Sequence, residues 1–138
     1  MLDLTTFEKA ISSLGKAVDA LNDESFSDYS ADLAFIIKSG VVQHFEFTYE
    51  LCWKYMKRIL NEIAGTYLVE GLSRKELFRM AAEYKLIDDP IPWFAYHAAR
   101  NITSHTYNQS IADEVAGLAL PLYNDSLKLL EQLKKKNA

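Results

Sequence analysis

Between Leu4 and Leu21 the apolar residues Phe7, Ile11, Leu14, Val18 and Leu21 recur every three or four positions, the period of one face of an α-helix. Thr5 and Glu8 stand in the spacing of a capping box, which places the start of that helix. The run from Asn22 to Ser30 is polar, rich in Ser and Asp, and reads as a connection. From Ala31 to Ala64 no proline interrupts the chain and Gly65 offers a stop, so one long helix is predicted, with Gly40 its weak point. On it Phe45, Tyr49, Cys52, Met56 and Ile59 share one face, while Leu33, Ile36, Phe47 and Leu51 share another. Two apolar faces mark a central helix. The second face has to be covered by another part of the chain or by a second copy, and the reading leans towards a homodimer.

Ser73 and Glu76 repeat the capping-box spacing ahead of Leu77, Met80 and Ala81, giving a third helix that ends near Leu86. Asp88 to Pro92 is a turn whose prolines suit the start of a fourth helix, led by Trp93, Phe94 and Ala95 into the polar segment Arg100 to Asn108. A last helix begins at Ser110 or Asp113 and carries Val115, Leu118, Leu122, Leu127, Leu130 and Leu133, with Pro121 expected to kink it. No run alternates cleanly enough for a strand, and no repeat is visible. The expected fold is all-α, an antiparallel bundle of four or five helices in a single domain over residues 1–138.

Composition narrows the function class. At 49% hydrophobic and 25% charged the chain is typical of globular proteins, and no apolar run approaches the roughly 20 residues of a bilayer-spanning helix. The single cysteine, Cys52, cannot form an internal disulfide, and no leader pattern opens the sequence, so a cytoplasmic protein without membrane contact is expected. A formal net charge of −4 argues against broad coating of nucleic acid, although a local basic site can still hold a phosphate.

Polar chemistry concentrates in Arg100-Asn101-Ile102-Thr103-Ser104-His105-Thr106-Tyr107. If the helix continues through it, Tyr107, Arg100, Ser104, Asn108, Asn101 and His105 sweep one stripe of roughly 160°, with His97 and Trp93 beside it. Arg100 offers a rigid fork of donors for a phosphate and His105 an imidazole that exchanges protons near neutrality, a pairing suited to cleavage of RNA. Asn101, Ser104, His97 and Trp93 are the expected substrate-binding residues, Trp93 as a stacking surface. The reaction needs no metal or cofactor, and the three histidines form no convincing ligand set with Cys52 or a carboxylate. Against this, an Arg and a His five apart on a helix are more often plain surface residues. Cys52, between Tyr49 and Met56, reads as a buried structural thiol.

Two stretches resemble a known family. Phe45-Glu46-Phe47-Thr48-Tyr49-Glu50-Leu51-Cys52-Trp53-Lys54 on the long helix and Arg100-x4-His105-x-Tyr107 together resemble the nucleotidyltransferase substrate-binding family of the HEPN superfamily, which includes HepT toxins. The resemblance spans nearly the whole chain. It implies a homodimeric bundle that joins two copies of the motif in a cleft, and a separate minimal nucleotidyltransferase as partner. The resemblance to HepT-like members further implies that Arg100 and His105 would be the ribonuclease residues, and Tyr107 the residue nucleotidylated by the partner to silence the toxin. An older interpretation of the family makes the protein a noncatalytic subunit that binds substrate or nucleotide for its partner. A purely structural helical adaptor is the third reading.

Overall fold

Ser30 and Gly65 bracket the element that organises the molecule. The Ser30 hydroxyl accepts a hydrogen bond from the Leu33 amide at 3.1 Å, and Gly65 takes a φ of +95° that a side chain would resist. Between them helix α2 runs unbroken over Ala31–Ala64, 34 residues and about 51 Å. Gly40 does not interrupt it.

The computed structural model describes residues 2–137. α1 (Thr5–Leu21) precedes a 3₁₀ turn at Glu24–Asp28. After α2 come α3 (Thr66–Val69), α4 (Arg74–Glu83), α5 (Ile91–His105), α6 (Gln109–Ala116) and α7 (Ala119–Asn137). The expected all-α bundle is the fold, and no strand lies among the described residues. α1, α2 and α7 pack on one another, while α3, α4, α5 and α6 gather along the rest of α2. None of the helices described is long and apolar enough to cross a membrane.

The core follows the predicted stripes. Phe7, Ile11, Leu14 and Val18 of α1 meet Phe45, Tyr49, Cys52, Met56 and Ile59 of α2, all buried. A second cluster joins Phe78 of α4 to Trp93 and Tyr96 of α5, the last two edge to face with centroids 5.3 Å apart. The other predicted apolar face of α2 is covered only in part within one copy: Leu51 packs against the core, whereas Leu33, Ile36 and Phe47 are exposed, Ile36 by 64% and Phe47 by 52%.

Several local expectations are corrected. Thr5 lies inside α1 rather than capping it, because the Asp3 carboxylate, two residues earlier, accepts the Thr5 amide at 2.9 Å. The connection at 22–30 holds the 3₁₀ turn, capped by Asp23. α4 does form its Ser73/Glu76 capping box but ends at Glu83, where Lys85 enters the left-handed region at φ +61° and the Leu86 amide bonds back to the Ala81 carbonyl at 2.9 Å. α3 was not foreseen. The last helix is two, divided at Gly117 and Leu118, so Pro121 falls in the first turn of α7, where its missing N–H takes no helical bond away.

Candidate functional site

α5 carries the predicted residues and α2 aims them. Trp93, Tyr96 and Ala99, at intervals of three, are the buried side of α5. That turns Arg100 towards α2, where Glu46 and Glu50, one turn apart, receive it. Arg100 Nη1 lies 3.1 Å from Glu46 Oε2 and also donates to the Ser104 hydroxyl. Nε is buried and finds no acceptor in hydrogen-bond geometry, since Glu50 Oε1, its ion-pair partner, stands 3.5 Å off. The other Glu50 oxygen accepts from Trp53 Nε1 at 3.0 Å. Two carboxylates thus hold one guanidinium at the wall of an open groove of about 670 Å³, lined also by Gln43, His44 and Phe47.

His105 is the last residue of α5 and is exposed. Five positions separate it from Arg100, about 7.5 Å along the axis and roughly 140° around it, so one copy does not bring the two side chains to one point. The helix stops there because Thr106 is extended (φ −142°, ψ 132°) and Asn108 turns to cap α6 through the Ile111 amide at 2.9 Å. Tyr107 therefore leaves the stripe predicted for it. Its hydroxyl donates to Ser39 Oγ of α2 at 2.8 Å, its ring lies 5.9 Å from that of Phe35, and it remains 42% exposed.

His97 sits in a polar chain that links α2, α4 and α5. Arg74 Nη1 reaches the Tyr49 hydroxyl at 3.4 Å, that hydroxyl meets His97 Nδ1 at 2.8 Å, and His97 Nε2 lies 3.3 Å from the Asn101 amide. With Arg74 donating to the phenol oxygen, the phenol proton is directed at Nδ1, which leaves the ring proton of a neutral imidazole on Nε2, facing the Asn101 side chain with its amide turned to present the oxygen. Burial first, then Arg74, holds the His97 pKa below the ordinary imidazole value, and Glu50 opposes them. Burial likewise raises the Tyr49 phenol despite Arg74.

Trp93 is corrected as a stacking surface: it is 2% exposed and wedged between Phe78 and Tyr96. Cys52 is buried, 3.3 Å from the Ser126 hydroxyl, and burial pushes its thiol up to about 12. Among the described residues no three His, Cys, Asp or Glu side chains group as metal ligands. Glu46, Glu50, Arg74 and Ser39 were missed as site residues. The signal for the first two was present, a pair of carboxylates four apart inside an otherwise apolar helical stretch.

Comparison with known proteins covers this same chain from end to end. Residues 2–135 match the family model described as nucleotidyltransferase substrate binding protein like. The chain is 36% identical to the probable ribonuclease HepT of Haemophilus influenzae, over 99% of this chain and 94% of that protein. It is similar in structure to a Haemophilus influenzae protein said to reveal the fold of a substrate binding domain of a nucleotidyltransferase, with a TM-score of 0.89 and 36% identity over 96% of this chain and 99% of the other. A Thermus thermophilus crystal structure, 26% identical, superposes with a TM-score of 0.73 over 92% and 98% of the two chains. With its all-helical fold and a family match over nearly its whole length, the chain belongs to the nucleotidyltransferase substrate binding protein like family.

Proposed function

We propose that this chain is a HepT-like endoribonuclease, metal-independent and homodimeric, that is paired with a separate minimal nucleotidyltransferase and silenced when that partner nucleotidylates Tyr107. The observation that carries the reading is the position of Arg100. It lines a groove that also takes in Phe47, from the partly covered apolar face of α2. A second copy packed on Ile36 and Phe47 closes that groove over Arg100 and supplies a second motif to the same cleft.

In that cleft Arg100, oriented by Glu46 and Glu50, meets the non-bridging oxygens of a phosphodiester as negative charge builds on them. His105 accepts the proton of the ribose 2′-hydroxyl. The 2′-oxygen bonds to phosphorus, the bond to the 5′-oxygen breaks, and that oxygen takes a proton from water, whose hydroxide is neutralised by the proton His105 accepted. The products are a 2′,3′-cyclic phosphate and a 5′-hydroxyl. Tyr107 is exposed and lies next to α2, so a nucleotide on its hydroxyl adds bulk and negative charge near the cleft.

The second reading is a noncatalytic subunit that binds substrate or nucleotide for the partner. The double pairing of Arg100 with Glu46 and Glu50 favours it, since little free positive charge is left at the groove.

RNA cleavage by the purified chain in EDTA separates them. Cleavage that is lost in Arg100→Ala and His105→Ala, and lost after incubation with the partner and ATP unless Tyr107 is replaced by Phe, is the expected result. Intact RNA under every condition, with nucleotide bound in calorimetry, sinks the ribonuclease and leaves the binding subunit.

A further inference from the structure

The chain has a formal net charge of −4, yet four of its 15 Lys and Arg residues gather beside α5, with aromatic rings between them. The Arg74 guanidinium lies 3.5 Å from the centre of the Trp53 ring, and Lys54 Nζ is 5.8 Å from the same ring. Lys75 and Arg79, one turn apart on α4, stand 5.5 and 5.4 Å from the centre of Phe94. Among the described residues none of these four cations makes an ion pair. Of the nearby carboxylates, Glu50 holds Trp53 and Arg100, while Glu76 accepts the Ser73 amide and, with Glu83, shares a groove with Arg79 without closing an ion pair on it.

The face of α5 beside this cluster leads to the candidate site. Stepping 100° per residue, Phe94, Ala98, Asn101 and His105 fall within an arc of roughly 60°, and His97 lies at its edge towards Arg74. Phe94 and His105 are eleven positions apart, about 16 Å. His105 therefore stands at one end of a straight stripe whose other end is an aromatic ring flanked by two cations.

We propose that this stripe is the track on which a single-stranded RNA lies as it enters the site, its phosphates on Arg74, Lys75 and Arg79 and its cleaved linkage at His105. Only the last clause rests on the ribonuclease reading. Alternating cations and rings suit a single strand, in which phosphates and unstacked bases alternate, better than an acidic protein surface, which has no use for the rings. A guanidinium stacked on an indole also presents its own outer plane to a base.

The test is anisotropy of a short fluorescein-labelled single-stranded RNA of mixed sequence, titrated with the full chain carrying His105→Ala to prevent turnover. Adding Lys75→Gln and Arg79→Gln together is expected to weaken binding about tenfold at low salt. It should also flatten the slope of log affinity against log salt by about 1.4, the loss of two phosphate contacts on a single strand. Lys75→Arg with Arg79→Lys restores both, and Lys134→Gln with Lys135→Gln changes neither. Unchanged affinity and slope in the α4 pair, or an equal loss in the Lys134 and Lys135 pair, overturns the track. So does an α4 pair that keeps its RNA and loses the nucleotidyltransferase, which makes the face a protein interface. Track-dependent binding by a chain whose wild type cleaves nothing upholds the track and removes the ribonuclease; cleavage that ignores the α4 pair does the reverse.

Discussion

Glu50 Oε1 stands 3.5 Å from Arg100 Nε without meeting it in hydrogen-bond geometry, while the other oxygen of the same carboxylate is tied to Trp53. Glu50 is thus fixed by the indole and in turn limits where the guanidinium can go. On the ribonuclease reading it acts through Arg100, as a positioning residue. Glu50→Gln keeps an acceptor for Trp53 and should retain most RNA cleavage, whereas Glu50→Ala should lower kcat about tenfold with KM little changed. The thermal midpoint should hardly move in Glu50→Gln and should fall modestly in Glu50→Ala, which also strips the part-buried Trp53 Nε1 of its acceptor, a loss of about 1 kcal/mol or more. Equal loss of kcat in both variants would show that the charge matters and the position does not.

The apolar face of α2 makes the second prediction. Ile36 and Phe47 lie exposed on one side of a helix whose opposite side is the core. Ile36→Glu combined with Phe47→Glu should convert a dimer to a monomer in light scattering behind a sizing column, with the helical circular dichroism unchanged. A wild type that elutes as a monomer at every concentration removes the dimer.

His97 gives the pH dependence. Its folded pKa lies below the ordinary imidazole value, so between the two the unfolded chain binds more protons than the folded one, and stability rises with pH. As pH falls below about 6.5 the contribution is progressively lost. Urea midpoints measured downwards from neutrality should fall in the wild type and fall less in His97→Gln. Asp3 and Glu76, whose carboxyls are held low by the amides of Thr5 and Ser73, act in a lower range near pH 4 and below. An identical slope in His97→Gln would assign the effect elsewhere.

Gly15 makes the fourth. A Cβ built there would stand 2.7 Å from Cε1 of Tyr123, on the α1–α7 contact. Gly15→Ala should therefore destabilise the chain by about 1–3 kcal/mol, as the ring has to shift, although alanine favours a helix. Removing the ring in Tyr123→Ala should cancel the penalty in a double-mutant cycle.

Helix limits were legible where a local device sets them and hidden where packing does. Ser30 and Gly65 announce both ends of α2, and Ser73 with Glu76 announces the start of α4. Thr5 and Glu8 show the same spacing, yet Asp3 takes the amide first. Arg100 and His105 could be singled out by residue type, but their surroundings could not. Glu46 and Glu50 lie some fifty positions earlier, and only the burial of Trp93, Tyr96 and Ala99 decides that Arg100 looks at them. Tyr107 was placed on a helical stripe because nothing in Thr106 forbids a helix; the claim of Asn108 on the next helix ends it. Trp93 was read as a stacking surface because it falls beside the polar stripe, whereas the core took the whole ring.

The unbroken α2 also works as a ruler. Tyr107 is pinned to it at Ser39 and Arg100 at Glu46, two turns further on, about 10 Å of rigid rod. Any group hung on the tyrosine oxygen must extend by about that length before it meets the arginine, so reach selects among modifications. A lone phosphate would fall short of the guanidinium, whereas a nucleotide spans the gap with its base and sugar.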